Sequence, residues 1–126
     1  MPITTVLFDM DGTLLPMDQD AFLKDYFTRM AEAMARRGHV PKKLIDTVWL
    51  GTKAMVLNDG SMTNGERFWE TAIAAMGEKI REDEPYFNAF YKEEFQLAQA
   101  SCGYNPAAAE VVYGLKDRGF RAIHYI

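Results

Sequence analysis

The chain has 126 residues, of which 48% are hydrophobic and 25% charged, and a formal net charge of -4. That suits one modest globular domain burying roughly two thirds of its extended surface, and it lacks the basic stripe on which nucleic-acid binding depends. No stretch reads as a signal peptide or membrane span, and the lone cysteine, Cys102, has no partner for an internal disulfide, so the cytoplasm is the expected compartment and Cys102 an inert thiol.

The first predicted element is a strand over Thr4–Phe8, apolar and β-branched or aromatic, as a fully buried strand of a parallel sheet should be. It runs into Asp9-Met10-Asp11-Gly12-Thr13, where Gly12 marks the break out of the strand. If the backbone stays extended, residues two apart project to one face, so Asp9 and Asp11 share a small volume while Met10 points away. Two like charges at close range require a proton or a cation between them. Mg2+, a hard ion that seeks oxygen, meets that demand and draws in phosphate. One carboxylate can then attack phosphorus in line to form an aspartyl-phosphate, while its neighbour protonates the leaving oxygen and later activates water. Gly12 lets backbone N–H groups approach phosphate oxygens closely, and the Thr13 hydroxyl can hold the turn. Asp-Gly between apolar residues is also a hairpin signal, and paired Asp residues cap turns. A hairpin needs a second alternating strand at once, however, and Leu14-Leu15-Pro16-Met17-Asp18 is not one.

Helices follow. Asp18 caps a first, running to about Arg37, with Phe22, Tyr26, Met30, Ala33 and Met34 at helical spacing and Gly38 at its stop. Pro41 opens a second, whose predicted buried stripe is Leu44, Ile45, Val48, Trp49, Thr52, Met55 and Val56, ended by Asn58-Asp59-Gly60. Thr63 and Glu66 form a capping box for a third, carrying Phe68, Trp69, Ala72, Ile73 and Met76 up to Gly77. Glu84-Pro85 opens a fourth, with Phe87, Phe90, Tyr91 and Phe95 on one face. Met and aromatic residues at this spacing are expected to be core rather than a ligand surface. The stretch Ser101–Pro106 reads as a hinge back to the sheet, Pro106–Arg118 as a helix with Val111, Val112 and Leu115 inward, and Phe120–Ile126 as a second strand.

At Phe8-Asp9-Met10-Asp11-Gly12-Thr13-Leu14 the sequence resembles the haloacid dehalogenase superfamily, whose first motif is D-x-D-G-T after an N-terminal hydrophobic strand. The resemblance implies an α/β fold: a partial Rossmann-like parallel-sheet core at 1–16 and 104–126, with a four-helix-type cap inserted at 17–103 that closes over the active site. It makes Asp9 the nucleophile and a magnesium ligand, and Asp11 the general acid and base, lending the metal its main-chain carbonyl. Met10, Gly12 and Thr13 then surround the phosphate. The family's dehalogenases lack the second Asp, so Asp11 favours phosphate chemistry. The expected activity is magnesium-dependent hydrolysis of a small phosphorylated metabolite, with neither nucleic acid nor membrane as partner.

Three further parts of that family's site have no counterpart: a Ser or Thr after the second strand, a later Lys, and an acidic pair that completes the magnesium site. Lys53, Lys79, Lys92 and Lys116 fall on predicted helices or linkers and are expected to be solvated. His39, at a helix-to-Pro junction, and His124, in or beside a strand, are expected to be structural. A two-stranded parallel sheet leaves apolar edges open, so the expectation is a fragment of a larger domain, self-association or swapping with another copy, or a rearranged second half. The competing reading is a catalytically silent, truncated fragment or interaction module. A phosphoacceptor receiver domain is set aside, because about eighty residues pass here without a strand, whereas that fold alternates strands and helices.

Overall fold

The structure, a computed structural model, describes residues 1–124. It is a mixed α/β arrangement, mostly helical, with one small parallel sheet. Strand β1 is Thr5–Phe8 and strand β2 is Arg121–His124, paired in parallel with Thr5 opposite Arg121 and Phe8 opposite His124. Five α-helices lie between them in sequence: α1 Gln19–Ala35, α2 Pro41–Val56, α3 Asn64–Met76, α4 Glu84–Lys92 and α5 Pro106–Asp117. Short 3-10 helices at Glu78–Asp83 and Glu94–Ser101 flank α4. Tyr125 and Ile126, which the sequence reading assigns to the second strand, lie outside the described residues. Among the described residues no helix is long and apolar enough to cross a membrane.

The chain divides into two compact units. One comprises Met1–Asp25 together with the chain from Ala98 onward; the other is Tyr26–Leu97. The division falls inside α1 and inside the 3-10 helix that follows α4.

In the first unit, β1 is only partly covered: Leu7 is 59% exposed, which corrects the expectation of a fully buried strand. The cause is the width of the sheet. Parallel strands are buried when helices cover both faces, and among the described residues the one helix packed on these two short strands is α5, which lies against β2. For the same reason Val111, predicted to point inward, is 49% exposed, while Val112 and Leu115 are half-buried. Asp18 caps α1 as expected, its Oδ1 accepting the Ala21 N–H at 3.0 Å. The predicted hinge is paired: Cys102 bridges antiparallel to Met17, and the Gly103 N–H donates to the Pro16 carbonyl at 2.6 Å.

The helical unit holds the core. Met30 and Met34 of α1, Leu44 and Val48 of α2, Ala72 of α3, Ile80, and Phe87 and Phe90 of α4 form one buried cluster. The capping box at α3 forms in both directions, the Glu66 N–H donating to Thr63 Oγ1 at 3.2 Å and the Thr63 N–H to Glu66 Oε2 at 2.8 Å. The Thr63 N–H, with the Thr63 hydroxyl also 2.8 Å from Glu66 Oε2, holds the Glu66 carboxyl below its ordinary range.

The buried stripe of α2 departs from the expected one. Trp49 and Val56 are exposed, and Thr47 and Gly51 are buried. Close approach of α3 decides this: a Cβ on Gly51 would sit 2.4 Å from Phe68 Cδ2, so only glycine admits the ring there. Thr47 is tolerated because its hydroxyl donates to the Lys43 carbonyl at 2.8 Å. Phe95 lies beyond α4, in the next 3-10 helix, yet still packs edge-on against Tyr26 with centroids 5.2 Å apart.

Candidate functional site

The Asp9 loop begins where β1 ends. Strand β1 stops at Phe8 and Met10 already opens a turn, so Asp9 and Asp11 stand in a loop beyond the strand in which the two-residue alternation is expected. The Met10 carbonyl accepts from the Thr13 N–H at 3.2 Å and from the Leu15 N–H at 2.9 Å, while the Gly12 N–H donates to the Leu15 carbonyl at 2.8 Å. Gly12 has φ +78°, at the third position of the Met10–Thr13 turn, where a type II geometry demands a positive φ. The motif therefore folds into a small closed loop with its own hydrogen bonds.

Asp9 and Asp11 are both solvent-exposed on this loop. Thr13 Oγ1 donates to Asp9 Oδ2 at 2.9 Å, which fixes one carboxylate oxygen of an exposed residue. The hydroxyl thus holds the loop through Asp9 itself. The N–H groups of Gly12 and Thr13 are spent on carbonyls within the turn, so an anion using either would compete with a bond of 2.8 or 3.2 Å.

Two exposed carboxylates are hard oxygen donors of the kind Mg2+ takes, and an ion held by so few would keep several waters. Among the described residues, no group of three or more His, Cys, Asp or Glu side chains is placed to hold a metal. Lys53, Lys79, Lys92 and Lys116 are all exposed, and Lys116 lies over the Tyr113 ring at 5.8 Å. His124 is exposed at the end of β2.

His39 belongs to a separate cluster in the helical unit. Its Nε2 donates to Asp83 Oδ2 at 2.7 Å, and Arg37 Nε donates to Asp83 Oδ1 at 2.9 Å. Burial of Asp83 works against its charge, but the hydrogen bonds from His39 and Arg37 prevail and hold it below the usual carboxylate range. The Arg37 guanidinium, raised chiefly by that bond to Asp83, lies over the Tyr86 ring at 4.0 Å. This cluster joins the end of α1 to the segment before α4, and sequence reasoning missed it because its members lie 44 and 46 positions apart.

Sequence reasoning also treated the aromatic residues of the helices as core throughout. Phe87 and Phe90 are core and Tyr26, Phe68 and Trp69 pack against it, yet Tyr26, Phe68, Trp69, Phe87 and Tyr91 also line a cleft of about 330 Å3 in the helical unit. The hydroxyls of Tyr26 and Tyr91 share a hydrogen bond of 2.6 Å. Burial pushes both phenols up, so both stay protonated at neutral pH. Compared with known proteins, the chain matches no protein-family model, no curated protein and no solved structure.

Proposed function

We propose that the Asp9 loop is the nucleophile-bearing part of a magnesium-dependent phosphohydrolase of the haloacid dehalogenase type, acting on a small phosphorylated metabolite in the cytoplasm. The single observation that supports this most is Asp9 itself. It is an exposed carboxylate at the end of a parallel strand, with one oxygen fixed by Thr13 at 2.9 Å, in a closed turn that also carries Asp11.

In this reading the free oxygen of Asp9 attacks phosphorus in line. The P–O bond to the leaving group breaks, and Asp11 gives that oxygen its proton. Asp11, now a base, takes a proton from water, which attacks the aspartyl-phosphate and releases phosphate and the Asp9 carboxylate. Mg2+, held by the Asp9 side chain and the Asp11 carbonyl, would offset the charge of the phosphoryl oxygens. Met10, Gly12 and Thr13 would border the phosphate, with the turn's own bonds exchanged for bonds to it. The test is hydrolysis of p-nitrophenyl phosphate by the full chain with and without Mg2+. Turnover should need the metal and vanish in Asp9→Asn; activity retained in that variant would reject the mechanism.

A second reading is favoured by one observation: no third acidic or imidazole side chain joins Asp9 and Asp11 among the described residues. The chain would then be a catalytically silent module that keeps the loop without the rest of the chemistry. A well-folded wild-type protein with no metal-dependent turnover would select it.

A further inference from the structure

We infer that the helical unit carries a ligand site of its own: the cleft of about 330 Å3 takes a small, neutral, planar aromatic molecule with one hydrogen-bonding group, its ring beside Phe68, Trp69 and Phe87 and its polar group at Asn88. The site stands on the helical unit's own geometry and does not depend on phosphoryl chemistry at Asp9.

Size comes first. A cleft of about 330 Å3 lies at the small end of the range for small-molecule pockets, roughly 300–1,000 Å3, which restricts the occupant to one or two fused rings. The lining then sets polarity. Its side chains, Asn88 among them, include five aromatic rings and no charged group, so an ionic ligand would lose its hydration without gaining an ion pair.

Ring geometry selects shape. Trp69 meets Phe68 edge-on at 5.6 Å and 86°, and Phe87 edge-on at 5.9 Å and 76°. Rings turned against one another in this way present edges and faces to a further ring, the offset or T-shaped arrangement that aromatic groups prefer. Asn88 supplies direction. It lines the cleft, is solvent-exposed, and makes no side-chain hydrogen bond among the described residues, so its amide has both a donor and an acceptor to give. The neighbouring Tyr26 and Tyr91 hydroxyls are bonded to each other.

The test is a two-dimensional amide NMR titration of the full chain with indole, which has one N–H on a fused ring. Saturable shifts are expected at Gly65, Asn88 and the Trp69 indole N–H, in the micromolar to low millimolar range. Two variants sharpen the result. Gly65 lines the cleft in the first turn of α3, and a Cβ there would meet only Thr63 Oγ1, at 3.9 Å, so the backbone accepts a side chain at this position and Gly65→Leu adds bulk to the cleft lining. It should weaken indole by about tenfold or more without lowering the melting temperature. Asn88→Leu should weaken indole several-fold and leave 1-methylindole, which lacks the N–H, unchanged. The inference fails if indole gives no saturable shifts, if Gly65→Leu binds indole as the wild type does, or if Asn88→Leu weakens both indoles equally. Stronger shifts with tetramethylammonium at the same residues would also overturn it, in favour of a cation cage.

Discussion

At the scale of single residues, two carboxylates illustrate how differently an acid can be used. Asp9 is exposed and held at one oxygen by Thr13, an arrangement that would orient it as the proposed nucleophile while leaving it reachable. If Thr13 positions Asp9, Thr13→Val should lower kcat for p-nitrophenyl phosphate by about 10–100-fold, with KM changed far less, since a misdirected nucleophile loses rate more than binding. Thr13→Ser, which restores the hydroxyl, should recover most of it. Asp83 is the contrasting case, buried between His39 and Arg37 and held below its ordinary value of 3.8. A carboxylate whose pKa is depressed by folding contributes stability above its unfolded pKa and loses that contribution as pH falls through the folded one. Asp83→Asn should therefore be less stable than the wild type at neutral pH by roughly 1.5–3 kcal/mol, the usual worth of hydrogen bonds to a charged group. The gap should narrow as pH drops below 3.8, where the carboxyl takes up a proton in the unfolded chain while the folded one still holds its charge, and urea denaturation across that range measures it. Interactions of short sequence range, such as the Asp18 cap and the Thr63–Glu66 box, were legible because helix ends pose the same local problem everywhere. The Asp83 cluster was not, because nothing local couples residues 44 positions apart.

At the scale of elements, the helices were legible from periodicity and stop signals, but which face each one buries was less so. Apolar spacing along α2 fits several neighbouring stripes, and the stripe that is used, through Leu44, Thr47, Val48 and Gly51, contains two residues that hydropathy alone would leave outside. Only the partner helix decides it, because Phe68 of α3 needs the space that Gly51 leaves. Substitution at Gly51 sets two effects against each other. Alanine improves intrinsic helix propensity by about 0.8–1.0 kcal/mol, whereas its Cβ would lie 2.4 Å from Cδ2 and 2.6 Å from Cε2 of the Phe68 ring. Overpacking a tight contact costs about 1–3 kcal/mol, and a clash this deep falls toward the upper end, so the steric term should win. Gly51→Ala should lower the denaturation midpoint, and the double variant with Phe68→Leu should recover part of the loss. A midpoint raised by Gly51→Ala would mean that α2 and α3 are not so closely packed.

At the scale of the whole molecule, burial is distributed unequally between the two units. The largest fully buried side chains, Phe90, Met30, Met34 and Leu44, all belong to Tyr26–Leu97. In the unit that carries the sheet, Ala98 is the one described residue in the buried class, and α5 contains none. The sequence made the small number of strands legible, but not how bare this leaves Leu7 and its register partner Ile123, exposed by 59% and 39%. Parallel sheets draw their stability from cover on both faces, so local opening of this sheet should cost much less free energy than opening of the helical core. Hydrogen exchange tests this directly. Amides of α2 and α3 should approach the protection of global unfolding, while those of Val6 to Phe8 should exchange at least about 100-fold faster, a difference of roughly 2.7 kcal/mol in opening free energy. A second copy covering Leu7 and Ile123 would remove that difference by mass action, so strand protection should then rise with protein concentration and fall again in Leu7→Glu. Equal protection in the two units of a monomeric protein would refute the argument, and the loop bearing Asp9 would have a far firmer base than its burial implies.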